Sequence, residues 1–134
     1  MLVCTIEPRF GDTDVLGHIS NTVLAGWFEM ARNPFFRIFS PDLTISHESW
    51  PLIMAHTDYD FVDELFYGHE VEIRSGIIRI GTKSFTLHHE AWQKGKLCVK
   101  GNAVVVYYDF KAKESRPIPE DKKKILSGYL LPTA

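Results

Sequence analysis

Cysteine is scarce in this chain, with only Cys4 and Cys98 among 134 residues, and no CxxC motif is present. Two widely separated cysteines read as small buried hydrophobes in a reducing compartment. A basic excess is also missing. The formal net charge is −2, which argues against a nucleic-acid surface. The main basic run, Lys122-Lys123-Lys124, reads as a solvated helix face. No apolar run approaches the roughly 18 residues needed to cross a membrane. The opening MLVCTIEPRF has no basic stretch followed by an apolar one, so no secretory leader is expected there. A soluble cytoplasmic protein with no nucleic-acid or membrane partner is the expectation. Several chemistries lack their signatures too. GxSxG, GxGxxG and GxxxxGK[ST] are all absent, which removes the usual serine-hydrolase elbow, dinucleotide turn and phosphate loop. His88 and His89 are adjacent in a strand-like segment and must point to opposite faces, while His47, His56 and His69 are isolated. The spacing supports no metal site, and no cofactor is expected.

What is present is apolar patterning, with 45% hydrophobic and 13% aromatic residues. That content and length predict a single domain over 1–134 with one core. Residues 2 to 10 read as a strand ending at Pro8 or Gly11. From Asn21 to Phe39 the residues Leu24, Trp27, Phe28, Ala31, Phe35 and Ile38 fall on one helical face. Glu29, Arg32, Asn33 and Arg37 lie off it. Ser20 or Asn21 is the candidate N-cap, and Pro34 predicts either a bend or a restart with Asn33 as a cap. Residues 40–51 are expected to form a loop. The period then changes to two, giving strands near 52–62, 69–80, 84–93 and 97–110, with turns at Gly81 and Gln93-Lys94-Gly95-Lys96. Val71, Ile73 and Ile77 share one strand face; Phe85, Leu87 and Ala91 share another. Ala103 to Tyr108 is apolar on both faces, as in a strand covered on both sides. A short helix near 119–127 follows Pro117 and Pro119. The class is α+β, with one apolar helix wrapped by a curved antiparallel sheet. One helix cannot cover a five-stranded sheet on both sides, so a face or edge is expected to meet a second subunit.

The chemistry is concentrated in FGDTDVLGHISN, residues 10–21. Asp14 stands a few residues before the first helical turn, whose free amides favour negative charge. A thioester carbonyl there would be polarised by the amides. An ionised carboxylate would then attack it or activate a water. A thiolate leaves readily, with a thiol pKa of about 8.5, so neither a Ser nor a Cys nucleophile is required. The competing reading is that Asp12 and Asp14 only form Asx turns and cap the helix.

The segments Phe10-Gly11-Asp12-Thr13-Asp14, Gly17-His18-Ile19, Asn21, Trp27-Phe28-Glu29 and Ala31-Arg32 resemble the 4-hydroxybenzoyl-CoA thioesterase-like acyl-CoA thioesterases of the hot-dog fold. Tyr67 to Ile73 and Gly81 to Phe85 continue the likeness over nearly the whole chain. The resemblance implies an antiparallel five- to six-stranded sheet around one long central helix. It implies homodimers with a joined sheet, often homotetramers, with active sites at the subunit interface. It puts the catalytic carboxylate at Asp14 and the carbonyl-polarising backbone amide at Asn21. Lys83 and Ser84 would meet the coenzyme A nucleotide, and Gly17 and His18 are pocket candidates. Asp12 is read as structural, and His18 as either facing the pocket or packing beside the loop. Where some relatives have an aromatic or a further polar residue, this chain has Ser20-Asn21-Thr22, and Pro34 is unusual within the helix. Acyl-CoA hydrolysis is therefore the leading expectation. A hot-dog hydratase or dehydratase and a non-catalytic acyl-thioester-binding dimer are the alternatives.

Overall fold

Alternating apolar residues in four long segments build an antiparallel sheet whose inner face must be covered. The computed structural model describes residues 1–132. Among the described residues there are six strands: β1 (Leu2–Ile6), β2 (Leu52–Phe61), β3 (Val71–Ile80), β4 (Ser84–Gln93), β5 (Lys96–Asp109) and the two-residue β6 (Glu114–Ser115). Their order is β1-β3-β4-β5-β2, with β6 pairing β5. The four expected long strands are all found, with ends shifted by two residues at most. The first strand is shorter than expected. It stops at Ile6, ahead of Pro8, and Phe10–Asp12 winds into a 3-10 turn instead.

β4 shows the alternation most cleanly. Phe85, Leu87, His89, Ala91 and Gln93 are buried, while Ser84, Thr86, His88, Glu90 and Trp92 are half-buried. His88 and His89 do point to opposite faces. Val71, Ile73 and Ile77 are fully buried on the same inner side. Register shifts between Ile77 and Arg79 in β3 and between Met54 and His56 in β2 each insert an unpaired residue. Such bulges bend a strand and raise its twist, which curls the sheet around the helical segment. In β5, Ala103 and Val105 are fully buried, but Val104, Val106 and Tyr108 on the outer face are only half covered. The strand is thus closed on one side by this chain alone.

The helical segment is not one long helix. Ser20 Oγ accepts from Thr22 N at 3.4 Å and caps a 3-10 turn, Asn21–Val23. Next come α1 (Leu24–Ala31) and α2 (Asn33–Phe39). The break falls at Arg32, which takes the cap position expected for Asn33. Pro34 then sits in the first turn of α2, where its missing N–H costs nothing. The expected stripe is observed: Leu24, Trp27, Phe28, Ala31 and Phe35 are buried and Ile38 is half-buried. Arg32 departs from expectation, being 4% exposed with Nε donating to His89 Nε2 at 3.3 Å. That bond fixes the tautomer, so His89 Nδ1 carries the proton and donates to Ser75 Oγ at 2.6 Å. Burial, then the charge of Arg32 and the neighbouring His88, push the His89 pKa down to about 3, so the ring is neutral. A third helix, α3 (Glu120–Ser127), follows β6.

The two sheet edges are treated differently. Beyond the end of β1, the edge of β3 is covered by the C-terminal segment: Ile77 N donates to Tyr129 O at 3.0 Å and Leu131 N to Ile77 O at 2.7 Å. Among the described residues nothing pairs with the outer edge of β2, where Ile53, Met54 and Phe61 are exposed.

At the middle of β5, Gly101 lies against the Asp58 carbonyl and the Phe28 ring; a Cβ would overlap the carbonyl and come within 3.4 Å of the ring. Both neighbours are held, one by the β2–β5 ladder and the other by the core. Gly101→Ala should therefore destabilise the fold by about 1–3 kcal/mol, as overpacking does. Urea unfolding is the check, with a lower midpoint at unchanged m-value expected.

Candidate active site

The 10–20 loop is built from short-range polar bonds. Asp12 is 2% exposed and accepts from Arg9 N at 2.8 Å and Arg9 Nη2 at 3.0 Å. Its pKa lies below the usual carboxylate range, chiefly because the Arg9 side chain donates to it. Its carbonyl accepts from Ser20 N at 2.8 Å, so Asp12 ties the start of the loop to the helix cap. The structural role expected for Asp12 is what the geometry displays. Between these anchors, Thr13 and Ile19 form a bridge and Asp14 N donates to His18 O at 2.8 Å. Gly17, at φ 81°, makes the reversal, a conformation that most side chains resist.

Asp14 sits inside this tight turn. Oδ1 accepts from Leu16 N at 2.8 Å and His18 N at 3.2 Å, which is the Asx-turn geometry of the competing reading. Oδ2 has no hydrogen-bond partner among the described residues. The Asn21 N–H likewise donates to no acceptor among the described residues. Asp14 and Asn21 both line one cavity of about 370 Å³, together with His18, Leu24, Phe61, Asp63, Glu64 and Val99. A residue with an unbonded carboxylate oxygen and one with an unbonded backbone N–H thus border the same space.

The facing wall is the connection between β2 and β3. Ile19 N donates to Leu65 O at 2.8 Å, and His18 bridges Phe66. The His18 ring meets Phe66 edge-on, with centroids 5.0 Å apart, and Nε2 lies 3.0 Å from Glu64 Oε2. His18 therefore both borders the cavity and packs against Phe66 beside the loop. Asp63 is paired with Lys96, whose side-chain hydrogen bond lowers the Asp63 pKa. The sequence reading missed Asp63, Glu64 and Phe61. Their only local signal is an acidic pair straight after a strand, and nothing local says which loop they face.

His18 and Asn21 line the cavity with Asp14, while Gly17 sits in the Asp14 turn without lining that cavity, and Lys83 and Ser84 are not brought to Asp14. Ser84 opens β4 opposite Val106, and Tyr107 N donates to Lys83 O at 2.8 Å. The Asp14 cavity includes Val99, near the other end of β5. At about 3.3 Å per residue, the length of β4 puts roughly 30 Å between the two ends.

The model of the thioesterase-like superfamily matches residues 8–126, which includes the Asp14 loop, the helical segment and all four long strands. The chain belongs to the thioesterase-like superfamily. Within it, the structure of a predicted thioesterase from Bacillus stearothermophilus superposes with a TM-score of 0.93, at 35% identity over 98% of each chain. A thioesterase from Thermus thermophilus, solved with coenzyme A and Zn, gives a TM-score of 0.81 at 26% identity, covering 95% of this chain and 92% of the other. The uncharacterized protein YsmA of Bacillus subtilis is 22% identical over 122 residues, 90% of this chain and 82% of that protein. The curled antiparallel sheet with few helices is the α+β architecture expected of a hot-dog thioesterase, with a bent helical segment in place of one long helix.

For this thioesterase-like chain the two aspartates separate by environment, which gives a direct check. Asp12→Asn keeps part of the cap and loses the ion pair, so it should cost about 1 kcal/mol at neutral pH, the usual worth of such a cap. A depressed folded-state pKa contributes stability that is present above the unfolded value, near 3.9, and lost as pH falls through the folded value. The deficit of Asp12→Asn should therefore shrink with acidification. Denaturant midpoints measured from pH 7 down to pH 3 test this, and turnover per folded molecule should stay unchanged.

Proposed function

We propose that this protein hydrolyses the thioester of an acyl-CoA to the free acid and CoA, with Asp14 as the catalytic carboxylate. The observation that carries this reading is the cavity shared by Asp14 and Asn21, whose Oδ2 and N–H respectively have no hydrogen-bond partner among the described residues. The carbonyl oxygen of the substrate accepts from the Asn21 amide, which stabilises the negative charge as it develops there. Asp14 then acts in one of two ways. It takes a proton from an attacking water, or it attacks the carbon itself and forms an anhydride that water opens. In both, the C–S bond breaks and the electron pair leaves on sulfur, so CoA departs as a thiolate that is protonated by solvent. No metal or cofactor enters this reading, and the reaction is assigned to the cytoplasm.

Lys83 and Ser84 enter as coenzyme A contacts through a second copy of the chain. The support for a homodimer is the bare edge of β2 with its exposed Ile53, Met54 and Phe61. An unpaired edge ten residues long is a pairing surface. Antiparallel pairing of two β2 strands about a two-fold at the middle of the strand would set Leu52 of one against Phe61 of the other. The Asp14 cavity, lined by Phe61, would then face Lys83 and Ser84 of the partner subunit. The half-covered outer face of β4 and β5 leaves room for a homotetramer.

A second reading has one observation in its favour. His18 and Glu64 form a pair in the same cavity, the kind of group a hydratase or dehydratase uses on an acyl thioester. Free-thiol release from a panel of acyl-CoAs indicates the hydrolase, loss of the enoyl chromophore indicates the hydratase, and saturable binding without turnover indicates a binding protein. Asp14→Asn decides the role of the carboxylate, because asparagine has nearly the same shape and cannot act as base or nucleophile. Thiol release on the best substrate should fall by at least about 10²-fold in kcat, with melting temperature and molar mass unchanged. Wild-type turnover by this variant, or loss through unfolding alone, would remove Asp14 from the mechanism.

A further inference from the structure

Gln93 ends β4 with its side chain on the inner face, 6% exposed. A buried primary amide has to find partners for two N–H donors and a carbonyl acceptor. Here all of them are backbone groups of the β2–β3 connection. Oε1 accepts from Phe66 N at 2.9 Å, while Nε2 donates to Phe66 O at 2.9 Å and His69 O at 3.1 Å. The amide orientation is set by these partners, since turning it over would place donor against donor and acceptor against two carbonyls. Gln93 thus helps to hold a segment whose backbone is otherwise paired, among the described residues, at Val62 and Asp63 with Cys98 O and around the His18–Phe66 bridge.

Phe66 is also where that connection meets the Asp14 turn. His18 forms a backbone bridge with Phe66 and packs edge-on against its ring. The His18 amide donates to Asp14 Oδ1, and its carbonyl accepts from Asp14 N. A continuous path of short contacts therefore runs from Gln93 through Phe66 and His18 to Asp14. We infer that Gln93 is a positioning residue for the Asp14 carboxylate, fixing the cavity wall against which the Asp14 turn is built. The inference rests on the catalytic reading of Asp14 given above. It explains why a polar side chain is retained at a buried inner-face position that follows Phe85, Leu87 and Ala91.

Gln93→Met keeps the length of the side chain and removes all three bonds. Gln93→Glu keeps only the acceptor for Phe66 N and sets a carboxylate against two carbonyls. Both are measured in the full chain at a temperature where each variant is folded. With acyl-CoA substrate, Gln93→Met should lower kcat roughly 10- to 100-fold while KM changes little, as expected when a catalytic group is displaced by about 1 Å. In the Asp14→Asn background the same change should lower kcat no further, because the residue acts through Asp14. Amide hydrogen exchange should quicken at Phe66, Ile19 and His18, with Leu87 in the core unaffected. An unchanged kcat in Gln93→Met, an equal loss in both backgrounds, or unchanged exchange at Phe66 and His18 would each overturn the inference. If Asp14→Asn itself keeps turnover, the catalytic reading fails and the positioning role falls with it. If Asp14→Asn is inactive while Gln93→Met turns over normally, only the role of Gln93 is lost.

Discussion

Phe28 stacks between the rings of Tyr59 and His89, with centroids 5.8 and 5.2 Å away, and the remaining geometry follows from that packing. Tyr59 belongs to β2 and His89 to β4, so one helical side chain spans the inner face of three neighbouring strands. The strand between them, β5, passes beneath the ring at Gly101, where a larger residue would collide with the Asp58 carbonyl. The curl of the sheet, the depth of the helix and the place where the helix begins are thereby linked. Because α1 is fixed at this depth, the loop ahead of it lands over the Gln93 and Val99 end of the sheet. Asp14 is located by core packing, not by its own loop alone.

Beneath the break between α1 and α2, polar groups replace core hydrophobes. Arg32, His89 and Ser75 are all nearly inaccessible and bonded in series. Such a network is costly if any member is left unpaired, and here the neutral His89 accepts from one side and donates to the other. Outside the core, apolar side chains gather around the Asp14 turn: Phe10, Val15, Leu16, Phe66 and Tyr67 are all exposed, with Phe10 edge-on to Tyr67. Exposed clusters of this kind mark a surface that meets a ligand or another chain. An acyl group and a second subunit are the two occupants invoked by the proposed reaction. The bare edge of β2 lies beside the same cavity at Phe61.

Features that depend on neighbours in sequence were legible before the structure. The period-two strands, the hairpin at Lys94-Gly95 and the apolar stripe from Leu24 to Phe35 all follow from local rules. The Asp12 and Asp14 roles were separable as possibilities, and the structure shows one buried against Arg9 and the other opening onto a cavity. Features set by distant pairing were not legible. Arg32 is polar and off the apolar stripe, yet the helix break turns it toward His89, fifty-seven residues on. The wall formed by Asp63, Glu64 and Leu65 depends on a loop meeting the Asp14 turn, which no periodicity encodes. Cover of the β3 edge by Tyr129 to Leu131 is likewise a long-range pairing. Lys83 shows the reverse difficulty: its motif is readable, but within one chain it lies at the other end of β4 from the Asp14 cavity.

The most direct measurement of a site shared between two chains is complementation in mixed dimers. Asp14→Asn and Lys83→Ala protomers, each carrying a different affinity tag, can be co-expressed and the heterodimer isolated with both tags. In such a dimer one cavity combines both substitutions, while the other pairs an intact Asp14 with an intact Lys83 of the partner subunit. Thiol release at substrate concentrations well below KM should recover to about half the wild-type rate per dimer, since one of two independent sites is whole. Heterodimers no more active than the more active parent homodimer would contradict a site built from Asp14 of one chain and Lys83 of the other.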